Sequence, residues 1–167
     1  MTTATSTYSP RIYVASLSDY NSGRLHGVWI DATDDADDIR EQIATMLRDS
    51  HEPNIMVEFD GKQVPSAEEY AIHDYDDFAG LNLGEYESIE TICVVAELLE
   101  KHGEAFAAWY DNGSAYGLDA DDYASNFEES FRGEFDSMTD YAEQYADDTG
   151  ALESVPQYLQ QYIDFEA

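Results

Sequence analysis

Basic side chains are nearly missing from this chain. Its 167 residues hold 7 Lys and Arg against 37 Asp and Glu, a formal net charge of −30. Such a surface repels nucleic acid and anionic membrane, and its natural partners are basic proteins, above all proteins that themselves bind polyanions. Cysteine is reduced to Cys93, which excludes an internal disulfide and any multi-thiolate metal site. Its setting, ETICVVAELLEKHG, marks it as a small buried hydrophobe rather than a reactive thiol. No apolar run approaches the roughly 18 residues of a membrane span. Met1 to Pro10 (MTTATSTYSP) lacks the charged start and apolar middle of a signal peptide. The expectation is a soluble, cytoplasmic protein with a frayed first decade.

Catalytic and metal signatures are also wanting. His26, His51, His73 and His102 lie in separate segments without HxxxH or HExxH spacing. The stretch DADDY lacks the central Gly and the later acid of a calcium loop. There is no P-loop, no GxGxxG and no GxSxG, and Ser18 and Asp19 do not assemble a triad with the scattered histidines. With 37 acids, a glycosidase-like pair of carboxylates can be drawn anywhere, so the match carries no weight. No catalytic group, cofactor or metal is expected, and a carboxylate-pair hydrolase stays as a distant alternative.

What is present reads as an α+β chain. Arg11 to Leu17 (RIYVASL) and the neighbourhood of Val28 to Ile30 are rich in β-branched and aromatic residues and predict two strands joined by a polar loop. Ile39, Ile43 and Leu47 recur every four residues, predicting a helix over Asp34 to Arg48 with Asp34 or Asp35 at its start. Ile55 to Phe59 predicts a strand, turned by Asp60-Gly61 toward Lys62 to Val64 and closed by Pro65. Glu69 to Tyr75 predicts another strand. From Ser88 the period changes: Ile89, Ile92, Cys93, Ala96 and Leu99 predict a helix that Gly103 stops. Glu104 to Tyr110 and a segment from about Asp119 predict two further helices. Phe131 to Phe135 reads as a short strand or an extended link. Ser137 with Asp140 marks the start of a helix to about Asp148, and Pro156 the start of a last one. The changes of period suggest three small domains: an α+β unit over 1–86, a helical unit over 87–130, and a C-terminal α+β or mostly helical unit over 131–167.

The acid is spread over all three, with net charges of −12, −10 and −8. Its densest run, Leu118 to Gly150, has eleven carboxylates and one base, Arg132, interleaved with Tyr123, Phe127, Phe131, Phe135, Met138, Tyr141 and Tyr145. A disordered acidic tail lacks such apolar area. These side chains are therefore expected inside, with Tyr123, Phe127, Phe135 and Tyr145 holding the carboxylates in fixed positions. Ordinary surfaces mix signs, and a lack of bases forfeits helical Glu to Lys pairs. Adaptation to high salt and a chaperone-like binding module for basic proteins both fit that composition. A third reading is imitation of DNA: a duplex carries one charge per roughly 1.7 Å, so 30 net charges equal about 50 Å of it, or about 15 base pairs. The candidate phosphate-mimicking groups are Asp111, Asp119, Asp121, Asp122, Glu128, Glu129, Asp140, Glu143, Asp147 and Asp148, with Glu90 and Glu97 behind them.

Three blocks carry a family resemblance. RIYVASLSDYNSGRLHGVWID (Arg11 to Asp31), EEYAIHDYDDF (Glu68 to Phe78) and DDTGALESVPQYLQQYIDFEA (Asp147 to Ala167) resemble, in the same order, the ArdA family of antirestriction proteins. The resemblance implies a non-enzymatic DNA mimic, carried by phages and other mobile genetic elements for evasion of host defence. It implies an elongated chain of three small domains that occupies the DNA-binding cleft of the methyltransferase and specificity subunits of type I restriction-modification enzymes. It also implies homodimers formed through the C-terminal domain. Residues 53–66 stand as an insertion against the family pattern, predicting an extra hairpin. The chain stops at YIDFEA, where family members commonly continue with strand-forming sequence, so the expectation is a last unit that is either shortened or completed differently.

Overall fold

The structure, a computed structural model, describes residues 8–51, 56–59, 61–65 and 69–165. Of the expectations above, the fraying of residues 1–7, the start of a strand at Ile55 and the turn residue Asp60 lie outside the described residues. The chain forms two compact units, residues 1–130 and 131–167.

The first unit is built on a three-stranded antiparallel sheet in the order β2-β1-β5. Strands β1 (Arg11–Ser16) and β2 (Gly27–Asp31) pair with Ile12 opposite Ile30 and Tyr13 opposite Trp29. Strand β1 stops one residue short of the predicted Leu17 because Ser16 changes role. Its hydroxyl accepts a hydrogen bond from Asp19 N and so caps a short helix, α1 (Leu17–Asn21), inside the segment expected to be loop. Helix α2 (Ala36–Arg48) starts at the cap Asp35, whose carboxylate takes the N–H of Asp37. It buries Ile39, Ile43 and Leu47, as their spacing predicts, together with Ala44 and Met46. Strands β3 (Met56–Phe59) and β4 (Lys62–Pro65) form the hairpin expected of the inserted stretch, with Phe59 opposite Lys62. Strand β5 (Tyr70–Asp76) returns to the free side of β1, with a register shift between Tyr13 and Val14.

Helix α3 (Ile89–His102) opens on Ser88, whose hydroxyl takes the N–H of Thr91, and ends at Gly103. Its buried set is wider than the predicted stripe: Val95 and Leu98 are inside, and Cys93 is only half-buried, its thiol directed at the Asp34 carbonyl. The reason is that α3 packs on two sides, toward α2 and toward the helices that follow it. Those helices are α4 (Glu104–Trp109) and α5 (Tyr123–Ser130), joined by a turn over Tyr110–Ser114 and a 3-10 turn over Ala120–Asp122. They enclose an aromatic cluster in which Phe127 stands 4.7 Å from His102, 5.7 Å from Phe106 and 6.0 Å from Trp109, ring centre to ring centre. One cluster of buried apolar side chains runs from Ile12 through Ile43 and Leu99 to Phe127.

The second unit is different in kind. Helix α6 (Met138–Asp148) starts at Ser137, which takes the N–H of Asp140, and α7 (Gln157–Gln160) follows Pro156. Its described residues contain helices and no strand, and Phe131 to Phe135 is an extended link. The expected interior is not there: Phe131, Met138 and Tyr145 are exposed, Phe135 and Tyr141 are half-buried, and Ala146 is the one described residue of the unit that is buried. A segment this short has too little volume to enclose large rings, so Phe135 meets Tyr141 edge to face and Tyr141 lies 5.9 Å from Tyr145 at an inclination of 34°. Among the described residues, no helix is long and apolar enough to cross a membrane.

Two outcomes are expected. Phe127→Ala should lower the unfolding free energy of the first unit by about 3–5 kcal/mol, read by denaturant titration, because a fully buried ring is removed from a closed cluster. Asp19 is fully buried in α1. Burial alone would raise its pKa, but hydrogen bonds from Ser50 and Ser16 and the charge of His26 outweigh that and hold it below the ordinary 3.8. Its ionised form therefore stabilises the fold above that pH, and the contribution disappears as pH falls through the depressed value. Asp19→Asn should cost about 1–3 kcal/mol at pH 7, with the gap to wild type narrowing in strong acid.

Candidate protein-binding surface

All twelve carboxylates singled out from the sequence are exposed. Glu90 and Glu97 lie seven residues apart on α3, about 10.5 Å along its axis, on the side away from Ile92, Ala96 and Leu99. Asp111 sits in the turn after α4, where the Asn112 side chain accepts hydrogen bonds from Ser114 and fixes the chain reversal. Asp119, Asp121 and Asp122 belong to the 3-10 turn leading into α5, held from beneath by Tyr123, which is 7% exposed. Glu128 and Glu129 lie in the last turn of α5. In the second unit Asp140 lies in the first turn of α6, Glu143 lies mid-helix, and Asp147 and Asp148 end it.

Three of the twelve have partners of their own. Glu90 is paired with Arg40, and Glu128 with Lys101 at 3.4 Å. Asp140 accepts the hydroxyl of Ser137 at 2.7 Å, completing the cap of α6. For the other nine, no basic partner occurs among the described residues. Rim pairs such as Arg40 with Glu90 contribute little at this exposure, so the surface remains an array of nearly bare negative charge.

The placement of these acids runs against helix stability. A helix C-terminus carries partial negative charge and favours Lys or Arg, yet α5 ends in Glu128-Glu129 and α6 in Asp147-Asp148, with no base in either last turn. Acids placed only to solvate a helix belong at its N-terminus. Among the described residues, Glu129, Asp147 and Asp148 have no base to offset that cost, whereas Glu128 is paired with Lys101.

The sequence reading missed the carboxylates of the sheet. Asp74 and Asp76 on β5 are exposed and alternate with the half-buried His73 and Tyr75, and Asp31 on β2 is exposed next to the buried Ile30. The alternation in YAIHDYD and GVWID carried that signal. The histidines are accounted for locally: His26 Nε2 lies 2.7 Å from the Met46 carbonyl oxygen, His73 packs on Tyr20, and His102 packs on Phe127. Among the described residues, no group of three or more His, Cys, Asp or Glu is arranged to hold a metal ion.

No curated protein sequence matches the chain. A family model does: the one described as Antirestriction protein (ArdA) matches residues 12–167. That span takes in β1 from Ile12 onward, every described helix of both units and all twelve of the exposed carboxylates named above, and on it the chain belongs to the ArdA family of antirestriction proteins.

Proposed function

We propose that this protein inhibits type I restriction-modification enzymes by offering its carboxylates in place of DNA phosphates to the cleft formed by the methyltransferase and specificity subunits. The observation that carries this reading, beyond membership of the family, is the set of exposed acids without bases at the ends of α5 and α6, where helix stability alone would put the opposite charge. Lys and Arg groups that meet phosphates would meet these carboxylates, and association would release counterions as it does on DNA. Helices hold the acids in place, so little ordering entropy is lost on docking. The protein performs no catalysis and needs no cofactor in this role. It acts in the cytoplasm, where restriction takes place, as three acid-bearing segments over 1–86, 87–130 and 131–167. The exposed aromatic side chains of the second unit, Tyr145, Tyr158 and Tyr162 among them, form the contact of a homodimer.

The test is competition between this protein and duplex DNA for a purified type I methyltransferase at two salt concentrations. Displacement of DNA that weakens steeply with added salt is the expected result. Displacement that is absent, or indifferent to salt, would sink the reading.

Two variants extend it. Exchanging any one exposed acid for its amide should change inhibition little, since exposed pairs contribute only about 0–1 kcal/mol each. Replacing Asp119, Asp121, Asp122, Glu128, Glu129 and Asp147 together should abolish it. The double variant Asp147→Lys, Asp148→Lys should move stability and function in opposite directions. It corrects the last turn of α6 and should stabilise that helix by about 0.3–1 kcal/mol per site, seen as increased helicity by circular dichroism, while weakening competition with DNA.

A further inference from the structure

The three-stranded sheet packs one face against α2, and the other face carries exposed side chains that do not make a plain acidic surface. Ile12, Val14, Ile30 and Ile72 point inward, so Arg11, Tyr13 and Trp29 share the outer side of β1 and β2. Trp29 is 41% exposed, an unusual position for a large ring in a chain that surrounds it with acid. The face is shaped around it. A Cβ on Gly27 would lie 2.5 Å from the Val14 carbonyl oxygen and 2.7 Å from Cζ of Tyr13, so a glycine there lets the Tyr13 ring lie across β2. Tyr13 then stands 5.4 Å from Trp29, their planes inclined by 51°. The guanidinium carbon of Arg11 sits 5.4 Å from the Trp29 ring centre, and the same guanidinium pairs with Asp76 on β5. One of only 7 basic side chains in the protein therefore marks what this ring accepts: a guanidinium held between an aromatic face and a carboxylate.

We propose that this outer sheet face is a second contact surface of the inhibitor, on which Trp29, with Asp31 on its own strand and Asp74 and Asp76 across β1, receives an arginine of the enzyme that it blocks. The proposal rests on the reading given above, and deepens it by naming an aromatic anchor within an otherwise ionic interface. Charge decides the occupant. A second copy of this chain would bring Asp31, Asp74 and Asp76 against themselves, whereas a surface built to grip phosphates presents arginines, whose flat cations stack on indole and pair with carboxylate together. Tryptophan and arginine are also the side chains that most often dominate an interface once water is excluded around them. Salt weakens bare ion pairs much more than a stacked ring, so Trp29 supplies binding that outlasts the screening of the acids.

The experiment uses the full chain in the DNA-competition assay with purified type I methyltransferase, comparing wild type, Trp29→Gln, Trp29→Phe, and Asp147→Lys with Asp148→Lys. Trp29→Gln should weaken competition about tenfold, with the loss as large at high salt as at low, and Trp29→Phe should recover most of it. Independently of any variant's folding, 5-fluorotryptophan-labelled wild-type protein should show the resonance of exposed Trp29, and not that of Trp109 at 7% exposure, shifting as the methyltransferase is added. If the lysine variant loses competition while Trp29→Gln matches wild type and the Trp29 resonance stays in place, the anchor is wrong and phosphate imitation stands. If wild type fails to compete at all, both fall. Equal loss in the Gln and Phe variants, or a Trp29→Gln variant whose sedimentation shows a changed oligomeric state, also overturns the anchor.

Discussion

Mutual repulsion among thirty uncompensated negative charges is the constraint under which the whole molecule is built. Each acid is tolerable alone in water. Together they oppose compaction, so the apolar core has to hold apart charges that would otherwise pull the chain open. The first unit meets this with a continuous core, and α3 is its keystone because it is buried on two sides. Ile92, Val95, Ala96 and Leu99 are at most fractionally accessible, tying the sheet and α2 on one flank to the Phe106, Trp109 and Phe127 cluster on the other. The few bases are spent on the surface where segments meet: Arg40 of α2 reaches Glu90 of α3, and Lys101 of α3 reaches Glu128 of α5. Neutralisation among the described residues thus falls at a few contacts between helices, within α2 and across the sheet, and most carboxylates stay bare.

Asp19 shows what a carboxylate needs in order to leave that surface. Alone among the described acids it is fully buried, with the Ser50 hydroxyl donating to its Oδ2 and the charge of His26 nearby. Desolvation would otherwise push such a group toward its neutral form. None of the other described acids is buried. His102 obeys the same physics with the opposite charge: burial, reinforced by Lys101, lowers its pKa, which keeps the imidazole neutral beside Phe127.

Much of this was legible because the relevant chemistry is local. Ser88, Ser137 and Asp35 cap helices within three residues of themselves, and the four-residue spacing of Ile39, Ile43 and Leu47 writes one helix face into the chain. The exposed positions of Glu90 and Glu97 on α3 follow from the same periodicity. What escaped was set by distance or by volume. The pairing of Arg11 with Asp76 spans 65 residues, so the outer sheet face, with Trp29 and its carboxylates, has no signature in spacing along the chain. Val95 and Leu98 looked peripheral on a one-sided helix and are inside because α3 has two neighbours. Tyr145 and Met138 have the spacing of a buried stripe, and periodicity states which side chains share a face without stating whether anything covers that face.

That last failure bears on how the acids of the second unit are held. In the first unit, Asp119 to Asp122 stand over a closed aromatic core, and their positions are fixed by packing. In α6 the carboxylates of Asp140, Glu143, Asp147 and Asp148 rest on a helix of 11 residues with a single buried alanine and repulsive charge at its C-terminal end. Isolated helices of that length are marginal in water even without the repulsion. Its cap at Ser137 and the ring contacts among Phe135, Tyr141 and Tyr145 are modest compensation. Covering the exposed rings of α6 would therefore supply burial that the helix lacks and steady the four acids it carries. Burial of that aromatic face and display of the carboxylates would then go together, because the contact that covers the rings is the one that holds the helix.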